Sequence, residues 1–370
     1  MVQDTSYQTT SGQSRGGERD GRLSRRAVLA SGVTLGTTAL AGCADLSGGD
    51  DGLTVAIISS NAGFDDQAFN DMARDGLTRA AEEFDIEVNE IEETDIAQFG
   101  DTQAEAAEAG NDLIVLVGFQ HTEALQENAT EYSDTNWMLI NDDVDEPNVA
   151  GYVWANHEMS YLAGVQAGTM TSEELNHAGS SNDPDNNQIG FVGGEEVPLI
   201  EAFERAYVAG AEWVDDSVEV ATGYAGSFSD PSAAEDVAQS QYDAGADIIY
   251  HAAAASGPGV FDAAQANNRF AVGVDADQSI TLEEYSDVII GSAVKYIDQG
   301  TYDCAQATVN DNFDEVAGFN VVDLSQDGVD LVIGQEFEGS MPDVLSENLE
   351  AAKQGIVDGD IDVPCDATGC

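Results

Sequence analysis

Basic residues are scarce in this sequence. Lysine and arginine total 11, against 71 aspartate and glutamate residues, and the formal net charge is −60. Five of the arginines precede residue 43, so the rest of the chain keeps only six basic residues, two of them lysines. Such a chain has no basic patch that could displace the counterions of a phosphate backbone. Nucleic acid is therefore excluded as a partner.

Two explanations of this acidic excess are intrinsic disorder and adaptation to salt. Apolar segments recur along the whole chain, so a packed core can form and disorder is not favoured. In molar salt the Debye length falls to about 3 Å, which screens the repulsion between carboxylates. The composition therefore predicts a halophilic protein with an acidic surface that loses its fold in dilute buffer.

The sequence also lacks the motifs of common enzyme classes. Its four histidines show no metal-ligand spacing, and it contains neither a Gly-x-Ser-x-Gly elbow nor a Walker loop. Cys304, Cys365 and Cys370 provide no metal site; Cys365 can pair with Cys370, or Cys304 with either of them. We expect no enzyme activity, no cofactor and no bound metal.

Residues 1–42 have the pattern of an export signal. Arg25 and Arg26 immediately precede an apolar run over residues 27–40, as in twin-arginine signal peptides. This run is shorter than the about 20 apolar residues that span a bilayer. We therefore expect export across the membrane and removal of the signal.

The signal ends at Leu40-Ala41-Gly42-Cys43, which resembles a lipobox. The resemblance implies that Cys43 is lipidated and anchors the protein to the extracellular face of the cell membrane; an ordinary cleavage site beside an incidental cysteine is the alternative. Residues 43–52 are rich in Gly, Ser and Asp and form a flexible tether in this interpretation.

From Leu53 onward, β-branched runs alternate with amphipathic helical stretches, which is the pattern of parallel sheets covered by helices. A polar stretch from Ser172 to Asn187, too rich in Asn, Asp and Ser to pack, interrupts the pattern as a surface insertion. We predict an α/β fold of two doubly wound parallel-sheet lobes joined by a hinge. The predicted segments are an N-terminal lobe of residues 53–155 and 276–318, a C-terminal lobe of residues 156–275 and 319–364, and a tail of residues 365–370. Ligands of such sheets bind at the carboxyl ends of the strands, here in a cleft between the lobes.

Three loops at predicted strand ends carry the candidate functional residues. The first runs from Ser59 to Asn70 and leads into a helix. As an alternative to ligand contact, Asp66 caps that helix and Phe69 packs in the core. The second contains Gly257, where a backbone without a side chain can approach a ligand closely.

The third loop contains Asp275 and is followed by a strand that ends at Lys295. Lys295 is one of two lysines in a chain that has nearly eliminated this residue, which makes its place at a strand end conspicuous. An ion pair with a neighbouring carboxylate is the alternative to a ligand contact.

Several ordered blocks of this sequence resemble the basic membrane protein family of lipoproteins, which includes purine nucleoside receptors of ABC transporters. The resemblance extends from Leu53 to the C-terminus. The matching blocks are Gly63-Phe64-Asp65-Asp66-Gln67-Ala68-Phe69-Asn70, Ser160-Tyr161-Leu162-Ala163-Gly164, Gly226-Ser227-Phe228-Ser229-Asp230-Pro231, Gly245-Ala246-Asp247-Ile248-Ile249, Gly273-Val274-Asp275-Ala276-Asp277-Gln278 and Ser292-Ala293-Val294-Lys295.

This resemblance implies a type I periplasmic-binding-protein fold, a nucleoside in the cleft and the permease subunits of an ABC importer as membrane partners. Phe69 would stack on the base, Asp275 would accept hydrogen bonds from ribose hydroxyls, and Lys295 would donate to the same ribose. Asn70 would orient the base. The full set of predicted ligand-binding residues is Ser60, Asp66, Phe69, Asn70, Phe119, Phe228, Gly257, Asp275 and Lys295.

One position departs from the family pattern. Purine-binding members carry an aspartate nine residues before the stacking phenylalanine, where this chain has Ser60. A carboxylate can accept two N–H bonds from a purine edge, and a hydroxyl cannot replace that pair. The expectation of a nucleoside is kept, with purine as the favoured base.

Other functions remain open alternatives. The chain is compatible with a receptor for another compact solute, such as a sugar or a flavin-like ring, and with an anchored sensor that signals occupancy to a partner. An exported nucleoside hydrolase would be expected to show a clustered-aspartate calcium site near its N-terminus, a pattern that Asp65-Asp66 lacks.

Overall fold

A computed structural model of the chain describes residues 52–365. The predictions for the signal peptide, for lipidation of Cys43 and for Cys370 lie outside these residues, as does the tether except for its last residue. Within the described range, no helix combines the length and the apolar character that a membrane crossing requires.

The described chain contains fourteen strands and ten α-helices. The strands are β1 (Leu53–Ile58), β2 (Ile86–Ile91), β3 (Leu113–Leu116), β4 (Asn136–Ile140), β5 (Val149–Trp154), β6 (Asn176–His177), β7 (Ser180–Ser181), β8 (Gln188–Gly193), β9 (Glu219–Tyr224), β10 (Ile248–Ala252), β11 (Phe270–Asp275), β12 (Ile289–Lys295), β13 (Gly318–Val322) and β14 (Val329–Ile333). The helices are α1 (Phe69–Glu83), α2 (Phe99–Glu108), α3 (Thr122–Glu131), α4 (Asn156–Thr171), α5 (Pro198–Val214), α6 (Pro231–Ala244), α7 (Pro258–Asn267), α8 (Gln278–Thr281), α9 (Ile297–Val309) and α10 (Asp343–Val357). Helices α2 and α3 and the β6–β7 hairpin were not predicted from the sequence.

Two six-stranded sheets form the framework, which confirms the predicted fold class. The first has the order β13-β5-β4-β3-β1-β2 and is parallel throughout. The second has the order β14-β12-β11-β10-β8-β9 and is parallel except for β14. Central strands such as β3, with the sequence Leu-Ile-Val-Leu, are buried along their whole length, as strands with both faces covered by helices must be.

The chain crosses between the two sheets three times. The three crossings are the connections from β5 to α4, from β12 to α9, and from β13 to β14. The predicted lobe boundaries are wrong at two of these crossings. β12 lies in the second sheet, between β11 and β14, although residues 276–318 were assigned to the first lobe. β13 pairs with β5 in the first sheet, although residues 319–364 were assigned to the second. The sequence of neither strand specifies which sheet it joins, so contacts distant in the chain decide the place of both.

Helices α4 and α5 pack closely in the second lobe, and two glycines permit this contact. A Cβ atom on Gly164 would lie 2.0 Å from the carbonyl oxygen of Tyr207, and one on Gly210 would lie 2.0 Å from that of Tyr161. Side chains at these positions would force the helices apart. The Ser160–Gly164 block is therefore part of a helix-packing contact, and α4 is buried on nearly every face.

The polar stretch from Ser172 to Asn187 packs against the second lobe, contrary to prediction. The Asn182 side chain donates to the backbone carbonyl groups of residues 170 and 173, and the Ser181 N–H donates to the carbonyl of Asn268. The backbone N–H of Asp183 donates to the buried carboxylate of Asp247. Polar side chains form hydrogen bonds here with backbone groups that would otherwise bond to water. A segment poor in apolar residues is therefore still ordered.

Charge is distributed unevenly between interior and surface. Of the acidic residues in the described range, only Asp66, Asp247 and Asp275 are buried. All six basic residues of this range form ion pairs with carboxylates, and the acidic residues of the chain greatly outnumber them. Cys304 is buried and free, whereas Cys365 is disulfide-bonded. The pairings that involve Cys304 are therefore excluded.

Candidate ligand-binding cleft

A cavity lies between the carboxyl ends of the two sets of strands, where the topology predicts a ligand. Both lobes contribute side chains to it. From the predicted set, it is lined by Ser60, Phe69, Phe119, Phe228, Asp275 and Lys295. Six of the nine predicted residues therefore surround one cavity, and their roles in ligand binding stay predictions.

Lys295 and Asp275 form the charged centre of this cavity. The Lys295 Nζ atom lies 2.9 Å from Asp275 Oδ1 and donates a 3.1 Å hydrogen bond to Asn156 Oδ1. Lys295 is 2% exposed and Asp275 6% exposed. A buried charge requires a partner, and this pair supplies one for each ion. The ion pair that the sequence offered as the alternative for Lys295 is therefore present, and the contact of Lys295 with a ligand stays a prediction.

Two aromatic rings flank the Lys295 ammonium group. Its Nζ atom is 4.7 Å from the ring centroid of Phe69 on α1 and 5.6 Å from that of Phe203 on α5. Because α1 belongs to the first lobe and α5 to the second, the ammonium group lies between the lobes. Both distances fall within the range of cation–π attraction.

A buried network of hydrogen bonds fixes the backbone next to Asp275. Gln278 Oε1 accepts from the Val274 N–H at 2.9 Å and contacts His251 Nε2 at 2.9 Å. Burial lowers the pKa of His251 to about 4, so the ring is neutral at neutral pH and its Nε2–H donates to Gln278. Asp275 itself has a φ of +66°, a conformation that aspartate tolerates better than most residues.

Gly257 lies behind this network and does not line the cavity, contrary to its predicted contact with ligand. A Cβ atom at this position would lie 2.1 Å from His251 Cε1. Glycine is needed there because the backbone at the start of α7 packs directly on the imidazole ring.

Asp66 and Asn70 also lie behind the cavity wall. The Asp66 carboxylate accepts from the backbone N–H groups of Ala68, Asn70 and Asp71, so it caps the start of α1. Burial raises the pKa of Asp66, and these hydrogen bonds oppose the shift. Asn70 Oδ1 accepts from the Ser60 N–H at 2.8 Å, and Asn70 Nδ2 donates to Ser60 Oγ at 3.0 Å. The two side chains position Ser60 and do not reach the cavity themselves.

Several cavity residues were not identified from the sequence. Phe203 lies in the second turn of α5, which follows β8, and Gln120 and Asn141 follow β3 and β4. The Oε1 atom of Gln120 and the Oδ1 atom of Asn141 are buried and accept no hydrogen bond. Their position after strand ends was an available signal, since such residues face the cleft in doubly wound sheets.

The cavity is small in this conformation. Its volume is about 60 Å³, against about 10 to 15 Å³ for each enclosed water molecule. This volume corresponds to a few water molecules and is less than a nucleoside needs.

Comparison with known proteins agrees with this architecture. The family model of the PnrA-like ABC transporter substrate-binding proteins matches residues 53–366. The ABC transporter nucleoside-binding protein BmpA of Lactococcus lactis subsp. cremoris is 29% identical over 92% of this chain and 99% of its own length. Basic membrane protein D of Borreliella burgdorferi is 29% identical over 86% of this chain and 91% of its own.

Solved structures show the same fold. An ABC transporter solute-binding protein from Aeropyrum pernix K1 superposes with a TM-score of 0.74 and 24% identity, over 85% of this chain and 94% of its own. A second ABC transporter solute-binding protein, from Conexibacter woesei, superposes with a TM-score of 0.63 and 23% identity, over 84% of this chain and 98% of its own. These two similarities concern the fold alone. Because the family model covers nearly all of the described residues, the chain belongs to the PnrA-like family of ABC transporter substrate-binding proteins, as its sequence motifs predicted.

Proposed function

We propose that this protein is the nucleoside receptor of an ABC importer. The observation that carries the proposal is the Lys295–Asp275 pair, buried beside the rings of Phe69 and Phe203. The carboxylate accepts hydrogen bonds from vicinal hydroxyls of ribose, and the ammonium group donates to the same sugar. The two rings offer apolar faces on which a base can stack.

The first lobe supplies acceptors for the edge of the base. Gln120 Oε1 and Asn141 Oδ1 are buried at the cavity without partners. A buried acceptor without a hydrogen bond is costly, and a base with N–H donors relieves that cost. These two amide oxygens take the place of the aspartate that purine-binding relatives carry where this chain has Ser60, so the proposed ligand is a purine nucleoside.

Ligand entry requires a hinge motion. The cavity is too small for a nucleoside, and the three crossings between the sheets are the segments about which the lobes can rotate. Ligand contacts from both lobes then favour the closed form, which is the form that docks on the permease.

The proposed receptor is exported and anchored through a lipid on Cys43, on the strength of the twin-arginine pattern and the lipobox. Stable attachment needs more than one hydrocarbon chain, because one gives only marginal membrane binding. A Cys43→Ser variant is expected to leave the membrane fraction and appear in the medium; a variant that stays with the membrane would contradict lipidation at this residue.

The first test is calorimetric titration of the protein in molar KCl with inosine, guanosine, adenosine, the free bases, ribose and riboflavin. We expect a purine nucleoside to bind and Asp275→Asn to weaken it at least about tenfold, because hydrogen bonds to a charged group are lost. Asn also tolerates the positive φ of this position. Asp330→Asn is the matched control, since Asp330 pairs with the surface lysine Lys353. Binding of ribose or riboflavin and of no nucleoside would overturn the proposal.

A second variant tests the recognition of the base. Gln120→Met keeps the length of the side chain and removes its acceptor. Inosine affinity is expected to fall about fivefold, while the preference for inosine over 2′-deoxyinosine stays unchanged, because the ribose contacts lie on the other lobe. If Gln120→Met left inosine affinity intact, the amide would have no part in base recognition.

A further inference from the structure

A second and larger cavity lies at the hinge, and none of the residues that line the cleft lines it. This hinge groove has a volume of about 780 Å³ and is lined by parts of all three crossings: the end of β5, the start of α9 and the connection from β13 to β14. Its volume falls in the range of small-molecule sites, about 300 to 1,000 Å³.

Four of the fourteen residues that line the hinge groove are aromatic. They are Tyr152 and Trp154 from β5, Tyr296, which precedes α9, and Phe319 from β13. Phe319 is 50% exposed and Tyr296 38% exposed, and they are two of the six large apolar residues that the described chain exposes to this degree. Apolar side chains left uncovered around a concave surface are a sign of a binding site.

Carboxylates complete the lining, and no basic side chain of the described residues lines it. Arg79 is not among the lining residues; it pairs with Asp298 at 2.8 Å and donates to Gln299, whereas Asp327 has no cationic partner among residues 52–365. Burial and nearby carboxylates, among them Asp298 and Asp327, raise the pKa of the Tyr296 hydroxyl. The groove therefore combines π faces with negative potential, which is the surface that organic ammonium groups prefer.

One residue that lines the groove also has a buried hydrogen-bond donor without a partner. Trp154 is 1% exposed, lines the hinge groove, and its indole N–H has no hydrogen-bond partner. A buried donor without a partner is costly and is satisfied by a ligand oxygen. We propose that the hinge groove binds a small organic cation that carries an acceptor oxygen, with the chemistry of an alkylated amino alcohol such as choline.

The test uses choline as the probe and the protein in molar KCl. Calorimetric titration is expected to give one saturable site, and the neutral isostere 3,3-dimethylbutan-1-ol is expected to bind at least about tenfold more weakly because it lacks the charge. Loose association of cations with so acidic a protein would be unsaturable, and equal affinity for the isostere would show a merely apolar groove. Either result would overturn the proposal.

Two pairs of variants locate the site. Phe319→Ala and Asp327→Asn are each expected to weaken choline about fivefold. Their matched controls are Trp213→Ala, at an exposed aromatic residue on α5, and Asp311→Asn, at an exposed aspartate with a φ of +55° against +57° for Asp327. The controls are expected to leave the affinity within about twofold of the parent. Equal losses in groove and control variants would place choline elsewhere.

A spectroscopic readout separates this site from the ligand-binding cleft. The chain has three tryptophans, so its ¹⁵N–¹H spectrum contains three indole signals, and choline is expected to move that of Trp154 while those of Trp137 and Trp213 stay in place. Asp275→Asn is expected to retain choline binding in full. Loss of choline binding in that variant would assign the cation to the cleft.

Discussion

The ligand-binding cleft and the outer surface of this protein use charge in opposite ways. In the cleft, one carboxylate and one ammonium group are buried together and each has the other as its partner. On the surface, carboxylates greatly outnumber the cations that could pair with them. A buried charge depends on one specific contact, whereas the surface charge depends on the salt around it. Substitutions in the cleft and changes of salt should therefore have separable effects.

The largest expected effect concerns the surface. In dilute buffer the repulsion between unpaired carboxylates acts over about 10 Å at 0.1 M salt, and over about 3 Å at 1 M. We expect the melting temperature to rise steeply between about 0.1 M and about 3 M KCl, with loss of the fold at the low end. Circular dichroism recorded during heating gives the melting temperature at each KCl concentration. A melting temperature that does not depend on salt would show that the surface charge does not limit stability.

The two lysines of the chain provide the next test. Lys295 is buried and pairs with Asp275, whereas Lys353 is partly exposed and pairs with Asp330. Lys295→Met leaves a buried carboxylate without a partner and should lower the free energy of unfolding by about 3 kcal/mol. Lys353→Met breaks a surface ion pair and should lower the free energy of unfolding by less than about 1 kcal/mol.

Denaturant unfolding in molar KCl gives both values. Equal losses in the two variants would mean that the buried pair is solvated, and the contrast between cleft and surface would then fail for this pair of residues.

The smallest effect concerns Asp247, a buried carboxylate remote from the cleft. Burial raises its pKa from the ordinary value to about 6, against the opposing effect of Arg269 and of hydrogen bonds from Asp183 and Thr171. The folded state therefore holds a proton more tightly than the unfolded state, and its stability falls as the pH rises from about 4 to about 6.

Asp247→Asn should remove this part of the pH dependence. The free energy of unfolding of the parent relative to Asp247→Asn is expected to decrease from pH 4 to pH 6. A difference that stays constant would show that Asp247 does not titrate in this interval.

Much of the fold was predictable because its strands and helices have clear periodicities. The run Leu53-Thr-Val-Ala-Ile-Ile and the amphipathic face of α1 were identified directly. The sheet to which β12 and β13 each belong was not predictable, since the sequence of a strand does not specify which sheet it will join. Helices α2 and α3 were missed because they are short and polar on much of their surface.

The candidate site was predictable in part. Phe69, Asp275 and Lys295 follow recognisable loops at strand ends, and the structure brings them to one cavity. Phe203 and Gln120 were not found, because neither belongs to a motif, and their positions depend on where α5 begins and where β3 ends relative to the other lobe.

The acidic excess, the alternation of strands and helices, and the family can all be read from the amino-acid sequence. They depend on local pattern and on residue counts, which need no knowledge of distant contacts. Three features require the folded structure: Asp66, Asn70 and Gly257 lie behind the wall of the cleft, Lys295 lies between rings of both lobes, and a second groove forms at the hinge. Each of these depends on residues far apart in the chain, whose contact arises only when two sheets and three crossings pack together.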